Sequence, residues 1–441
     1  MTARKLMIPL IALALVAAAC GDDDDDGGGG GGDGDGALSG SIVLMSAGEQ
    51  NEVEAYQEIF DELINSEVDY TVEVEQVGSF EEQFQIRADA GTLELAAVPQ
   101  PGSIPELAAE GKIVALEDVG IDVAALQELV GEDFVEFGAY EGKHYGVPTN
   151  VNLKSMVWYA KDDFDEAGYQ VPETWDELIA LSEQIVDDGG TPWCVGFNSD
   201  GSAGWPATDW MEDIMLRTAG PDVYQQWLRH EIPFNDPAVK TAAERFGEVL
   251  FGEGFVPGGA ASTADIFFSD APGPLFTDPP GCFLHRQASF IAAQFADLAD
   301  PAPQSGVDYD WFTLPPIDQE GILYGGELTV IGTAADPELA KDFVERFVAQ
   351  DVQCEMGGVP ASSRISPNVD VGSDCYTDEL LAEASEILTE TLRTGSGGFD
   401  ASDLMPKEVG QGTFWSGMLE YVRSGPDELD RILQDIEDSW P

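Results

Sequence analysis

The sequence predicts an α/β protein, and three observations carry that prediction. Apolar residues make up 43% of the 441 positions, with 9 Trp, 11 Tyr and 22 Phe. That composition is ample for a buried core. The first third of the chain alternates short apolar runs with stretches of helical spacing, the β-α-β order of a parallel sheet covered by helices. Beyond residue 20 the cysteines number four, Cys194, Cys282, Cys354 and Cys375, an even count that suits two disulfides in an exported chain.

The elements follow in order. Ser41 to Met45 reads as a strand and Gly48 as the turn after it. Val53, Tyr56, Phe60 and Leu63 then recur at helical spacing. Tyr70, Val72 and Val74 alternate with polar residues, as in a half-buried strand. Ser79 and Glu82 have the spacing of a capping box at the start of a helix. Leu95 to Val98 is a further strand, the loop Pro99-Gln100-Pro101-Gly102 follows, and Ile113 to Leu116 is read as another strand. Ligands of such sheets bind beyond the carboxyl ends of the strands. The turns there hold Gly48, Glu49, Gln50 and Gln100. Further on, Thr174 and Glu177 cap a helix with Leu178, Leu181 and Ile185 on its apolar face. Asn198 to Pro206 and the proline-rich Phe268 to Gly281 read as loops. Asp336 and Pro337 open another helix. Leu429, Ile432, Leu433 and Ile436 share one side of the last.

The N-terminus reads as an address. Arg4 and Lys5 precede the apolar stretch Leu6 to Ala19, which is short for a membrane span and ends in Ala17-Ala18-Ala19 before Cys20. Residues 1–19 thus resemble a bacterial lipoprotein signal, which implies lipidation of Cys20 and an extracytoplasmic, membrane-anchored protein. Residues 21–36 contain only Gly and Asp. With nothing to bury, residues 20–37 are expected to be anchor and tether, and the stretch 21–36 has a reach of roughly 20–25 Å.

Charge narrows the choice of partners. Acidic residues number 84 and basic residues 19, a net −65. Such a surface repels nucleic acid and anionic lipid headgroups. Neither a metal site nor a cofactor is expected. The cysteines lack CxxC spacing and His is limited to His144, His230 and His285. No GxxxxGK[ST] phosphate loop occurs. Three cysteine pairings are possible, and Cys194–Cys282 with Cys354–Cys375 is the expected one.

Several segments taken in order resemble a known family. They are Tyr145-Gly146-Val147-Pro148, then Trp158-Tyr159-Ala160-Lys161, then Pro172 to Leu178 (PETWDEL). Gly325-Gly326 precede Asp336 to Phe343 (DPELAKDF), and Leu404-Met405-Pro406 precede Phe414-Trp415. Together they look like the extracellular solute-binding proteins of ATP-binding-cassette sugar importers. Gly204 to Trp210 and Gly281 to Ile291 look like the alpha-glucoside-binding subgroup. The stretch before the Pro99 loop departs from the family pattern, reading Leu93-Glu94-Leu95. The resemblance implies a periplasmic-binding-protein fold with two α/β lobes of non-contiguous chain joined by a hinge. Residues 38–148 and 326–370 would form lobe 1, and residues 149–325 and 371–441 lobe 2. A monomer is expected that captures an oligosaccharide, an alpha-glucoside by the subgroup resemblance. It would hand that sugar to the permease subunits of an importer and not itself be an enzyme.

A sugar ring offers apolar C–H faces to aromatic rings and hydroxyls to amides and carboxylates. Trp415 is the leading stacking candidate, because the resemblance places ligand stacking at the Phe-Trp position. Trp205, Asp209 and Trp210 follow. Glu49, Gln50, Gln100, Asn150, Asn152, Lys154, Gln287 and Glu327 are the polar candidates. His285, Arg286 and Gln287 form a polar cluster beside Cys282. A secreted glycoside hydrolase is the alternative; it would need two carboxylates about 5–10 Å apart across the scissile bond. A carrier of another solute, such as a polyamine, is a second alternative.

Overall fold

The computed structural model describes residues 38–359 and 364–441. The signal, Cys20 and the tether lie outside the described residues. No helix among the described residues is long and apolar enough to cross a membrane.

Strand β1 (Ser39–Ser46) pairs in parallel with β2 (Asp69–Gln76) over all eight residues and with β3 (Leu95–Val98) on its other side. Helices α1 (Gln50–Phe60) and α2 (Phe80–Ala90) connect them. The expected alternation is present in β2, where Tyr70 and Val72 are buried between exposed Asp69, Thr71 and Glu73. All four residues of β3 are buried, as befits a strand with a neighbour on each edge. Successive β1 residues serve opposite faces. Leu44 packs in one cluster with Tyr56, Phe60, Phe343 and Phe347, and Met45 in another with Phe80, Phe84 and Leu328.

The sheet is mixed where a purely parallel one was expected. Its long strand Leu323–Gly332 runs antiparallel to β3 and to Gly146–Leu153. These two strands carry the chain across the expected lobe boundaries, and they lie side by side, with Gly325 opposite Asn152 and Gly326 opposite Val151. A side chain at 326 has no room, since a Cβ there would sit 2.4 Å from the Asn150 carbonyl oxygen. A second sheet is built from Met156–Ala160 between Tyr309–Thr313 and His285–Arg286. The second half has its own core, containing Trp193, Trp210, Trp227, Phe246 and Ile432. Residues Leu380 to Leu388 pack with the first-sheet cluster around Phe80 and Leu328.

Local signals hold in part. Asp336 accepts from the Glu338 and Leu339 amides at 2.9 and 3.2 Å, with Pro337 in the first turn. Thr174 accepts from the Glu177 amide, but the Glu177 carboxylate bonds the Glu173 amide, so half of that box forms. The Ser79–Glu82 box does not form. Ser79 is left-handed (φ 54°) and makes no capping bond. The expected strand at Ile113 ends at Val114, and Leu116 lies in a 3-10 turn.

Cys194 pairs with Cys282 and Cys354 with Cys375, at Cα separations of 5.5 and 5.0 Å. The polar cluster beside the first bridge is buried. His285 Nδ1 lies 2.9 Å from the Cys194 carbonyl oxygen, which fixes the proton on Nδ1, and buried Nε2 has no partner. Burial, with a smaller push from Arg286, brings the imidazole down to about 4. The neutral ring is thus the native form.

Two outcomes are expected. Peptide mapping of the unreduced protein should recover the 194–282 and 354–375 pairs, and a crossed pair would contradict this fold. Because the folded His285 pKa lies below its unfolded value, its share of stability is full above about pH 6.5 and is lost as pH falls toward 4. Denaturant titrations of His285→Gln should show a shallower loss of stability across that window than the unaltered protein.

Candidate ligand-binding site

A cleft of about 440 Å³ opens beyond the carboxyl ends of β1, β2 and β3. The turn after β1 supplies Gly48 and Glu49, the turn after β2 supplies Gly78 and Ser79, and Pro99 and Gln100 follow β3. Facing them are Ser199 to Ser202, Trp205, Phe268, Phe290 and Gln294. Asn150, Asn152, Lys154, Glu327 and Arg364 contribute from the paired strands and the chain beside them. Two-residue spacing explains the first three, because alternate side chains of an extended chain share a face.

Seven expected residues come together here: Glu49, Gln100, Asn150, Asn152, Lys154, Trp205 and Glu327. Trp205 stands edge-on to Phe268 at 5.1 Å and is tilted against Phe290 at 6.0 Å. Opposite this aromatic wall are amides with spare valence. Asn150 Oδ1, Asn152 Oδ1 and Gln294 Nε2 are buried without hydrogen-bond partners. Unpaired buried polar atoms are costly, so amides gathered on one cleft are poised for a ligand's hydroxyls. Glu49 has a second task. It caps α1, its backbone N–H donates to Glu52 Oε2 at 2.9 Å, and burial raises its carboxyl.

The charges in the cleft wall are mutually engaged. Lys154 Nζ lies 3.1 Å from Asp209, in contact with Asp400 and 3.8 Å from Asp403. Burial opposes its charge, but Asp209, Asp400 and Asp403 carry it well above the usual lysine value. Burial likewise drives Asp209 up to about 7, against the pull of Lys154, and lifts Glu212 and Asp403 well up. Asp400 is the exception. Against burial, Lys154 and hydrogen bonds hold it near 2. Glu212 accepts the Ala401 and Ser402 amides at 2.9 and 3.1 Å. Asp209, Glu212 and Asp400 bring oxygens within 4.8 Å of one another, near enough to share a cation. The Lys154 ammonium already lies against two of them. Glu327 contacts Arg364, whose guanidinium lies 4.1 Å over the Tyr56 ring. Burial pushes Glu327 up to about 8 and Arg364 down to about 9. The contact offsets part of that cost.

Five expected residues lie elsewhere. Asp209 sits one helical turn after Trp205 and is fully buried beneath Lys154, 3.6 Å from Arg286. Trp210 faces the opposite side of the helix Trp205–Ala219 and packs between Trp193 and Phe246. Gln287 is buried with its Oε1 on the Ala288 amide. Gln50 is exposed on α1 and bonds Glu54. Trp415 is 4% exposed. Its indole donates to Ser402 Oγ at 3.1 Å, and it borders a separate groove beside the cleft. The backbone there is tight, since a Cβ on Gly204 would fall 2.2 Å from the Trp415 carbonyl oxygen.

Sequence reasoning missed Phe268, Phe290, Gln294, Arg364, Asp400 and Asp403. Asp400 carried a usable signal as the N-cap of Ala401–Leu404, accepting from the Asp403 amide. Phe268, in a proline-rich loop, was the other. Arg364 had none, because its partner Glu327 is 37 residues away.

Comparison with known proteins fits this geometry. The chain is 38% identical over 409 residues to the osmoprotective compounds-binding protein GgtB of Synechocystis sp., covering 91% of this chain and 92% of that one. It is 38% identical over 372 residues to the alpha-glucosides-binding periplasmic protein AglE of Rhizobium meliloti, covering 82% and 79%. Its fold matches the bacterial solute receptor AcbH, which prefers β-D-galactopyranose, with a TM-score of 0.76 at 18% identity over 91% and 98% of the two chains. The two-lobed α/β fold expected from the sequence is the fold observed. Residues 47–353 match the sequence profile of the bacterial extracellular solute-binding proteins, and the chain belongs to that family.

Proposed function

We propose that this chain is the receptor of an ATP-binding-cassette importer and captures a small neutral carbohydrate, an alpha-glucoside, between its two halves. The observation that carries the reading is the aromatic wall of Trp205, Phe268 and Phe290 facing the unpartnered amides of Asn150, Asn152 and Gln294. Rings take the C–H faces of a sugar and amides take its hydroxyls. A cleft of about 440 Å³ lies within the usual range for small-molecule sites. Both cations of the wall, Lys154 and Arg364, already lie against carboxyl groups of the protein, which disfavours an anionic solute. The names of GgtB and AglE support an osmoprotective compound or an alpha-glucoside as the solute class.

Binding requires no chemistry. The solute contacts both halves only when they are closed, so its affinity for the closed form exceeds that for the open one, and binding shifts the population. The reading includes a lipid on Cys20, a tether of residues 20–37 and a monomer that presents its closed form to the permease subunits. The Arg4-Lys5 start, the apolar stretch and Ala17-Ala18-Ala19-Cys20 support the anchor.

A thermal-shift screen of mono-, di- and trisaccharides tests the function. A specific sugar at 100 times its dissociation constant should stabilise the protein by about 2.7 kcal/mol. No product should accumulate, whereas released sugar would favour a hydrolase. Trp205→Ala should fold normally and weaken binding by about tenfold or more. Affinity equal to wild type in that variant removes the aromatic wall from the site. Trp210→Ala should instead lower stability by about 3–5 kcal/mol, as expected of a core residue. Cys20→Ser should move the protein from the membrane to the soluble fraction, and retention on the membrane would contradict the anchor.

A further inference from the structure

The two halves also touch along the rim of the cleft. Helix α2 forms one side of that seam, and two of its residues, one turn apart, reach across it. Ser202 Oγ donates to Glu81 Oε2 at 2.8 Å, and Lys407 Nζ donates to Gln85 Oε1 at 2.9 Å. Ser202 lies in the loop that leads into Trp205, and Lys407 lies directly before the π-helical turn Glu408–Phe414. One helix face therefore clasps two segments about 200 residues apart in the chain.

The two clasps differ in their relation to a solute. Glu81 and Ser202 line the cleft, whereas Gln85 and Lys407 line only the adjoining groove of about 410 Å³. Three carboxylates border that groove: Glu81 and Glu106 from the first half and Glu408 from the second. Among the described residues lining it, Lys407 is the only cation. With 84 acidic residues against 19 basic, closing the halves brings like charge together. An ammonium placed at the seam converts local repulsion into attraction.

We infer that Lys407 is an affinity-setting latch, whose bond to Gln85 and whose charge hold α2 against the second half without touching the solute. The inference rests on the capture reading above. Apparent affinity scales with the fraction of molecules able to adopt the binding form, so a contact remote from the solute alters its dissociation constant. The latch also gives a distinctive salt response. Without Lys407 the carboxylates at the seam repel, and added salt screens that repulsion.

The test uses the full chain and Lys407→Met, Gln85→Ala and Lys407→Arg. Maltose binding is measured by calorimetry at roughly 20 mM and roughly 1 M NaCl, which span weak and strong screening. Small-angle scattering gives the radius of gyration without sugar. Lys407→Met should bind about fivefold more weakly at low salt, recover only the electrostatic part of that loss at high salt, and show a larger radius. Gln85→Ala should lose less and recover nothing with salt. Lys407→Arg, which keeps the charge, should stay within about twofold of wild type. Wild-type affinity in Lys407→Met at low salt, or weaker binding with an unchanged radius, overturns the latch. If neither maltose nor any sugar of the screen binds the unaltered chain, the carbohydrate reading fails. Scattering alone then decides, and equal radii for wild type and Lys407→Met overturn the latch.

Discussion

The ammonium of Lys154 is the contact on which the rest of the site depends. It stands at the end of the strand that carries the chain between halves, against Asp209 of the helix Trp205–Ala219 and Asp400 at the cap of Ala401–Leu404. Three segments remote in sequence therefore meet at one charge. Water is largely excluded, since both aspartates are almost fully buried. Removing one partner would strand an uncompensated charge, a far greater loss than that of an exposed pair. The same contact sets the height of the cleft floor, because Lys154, Asp400 and Asp403 all reach its surface. Lys154 Nζ also lies 5.6 Å over the Trp205 ring, so the charge cluster and the aromatic wall hold each other in place.

Behind this contact the carboxylates form a graded set. Burial pushes Glu212, Asp403 and Asp209 toward their protonated forms, while Asp400 keeps its charge. The cation is thereby shared unequally, and the acids beside it serve as hydrogen-bonding groups as much as ions. Arg286 and Arg217 extend the network one layer deeper, around Asp213. Its satisfaction is incomplete, since Asp209 Oδ2, Arg286 Nε and Arg217 Nη2 are buried without a hydrogen-bond partner.

The sequence made some of this legible and hid the rest, for definite reasons. Period-two spacing put Asn150, Asn152 and Lys154 on one face, and the rule that ligands meet strand ends found Glu49 and Gln100. Trp205 was recoverable because its loop is poor in apolar partners. Trp210 and Asp209 lie close to it in sequence, but the helix that starts at Gly204 turns Trp210 to its opposite side and sets Asp209 one turn deeper, beneath Lys154. Trp415 was expected from its position after Phe414, yet its indole is turned inward onto Ser402. Glu327 was among the polar candidates for a ligand's hydroxyls. Its partner Arg364 arrives from another part of the fold. Pairings between distant side chains, such as Glu327 with Arg364, leave no periodic trace.

The bridge between Cys354 and Cys375 has a consequence for when this molecule becomes competent. It ties off the length of backbone from which Arg364 projects toward Glu327. Cross-linking shrinks the range of shapes open to that segment before it folds, so less order must be gained to deliver the guanidinium. Without the bridge the arginine would arrive at greater entropic cost. The cleft wall is thereby easier to complete once the bridge has formed.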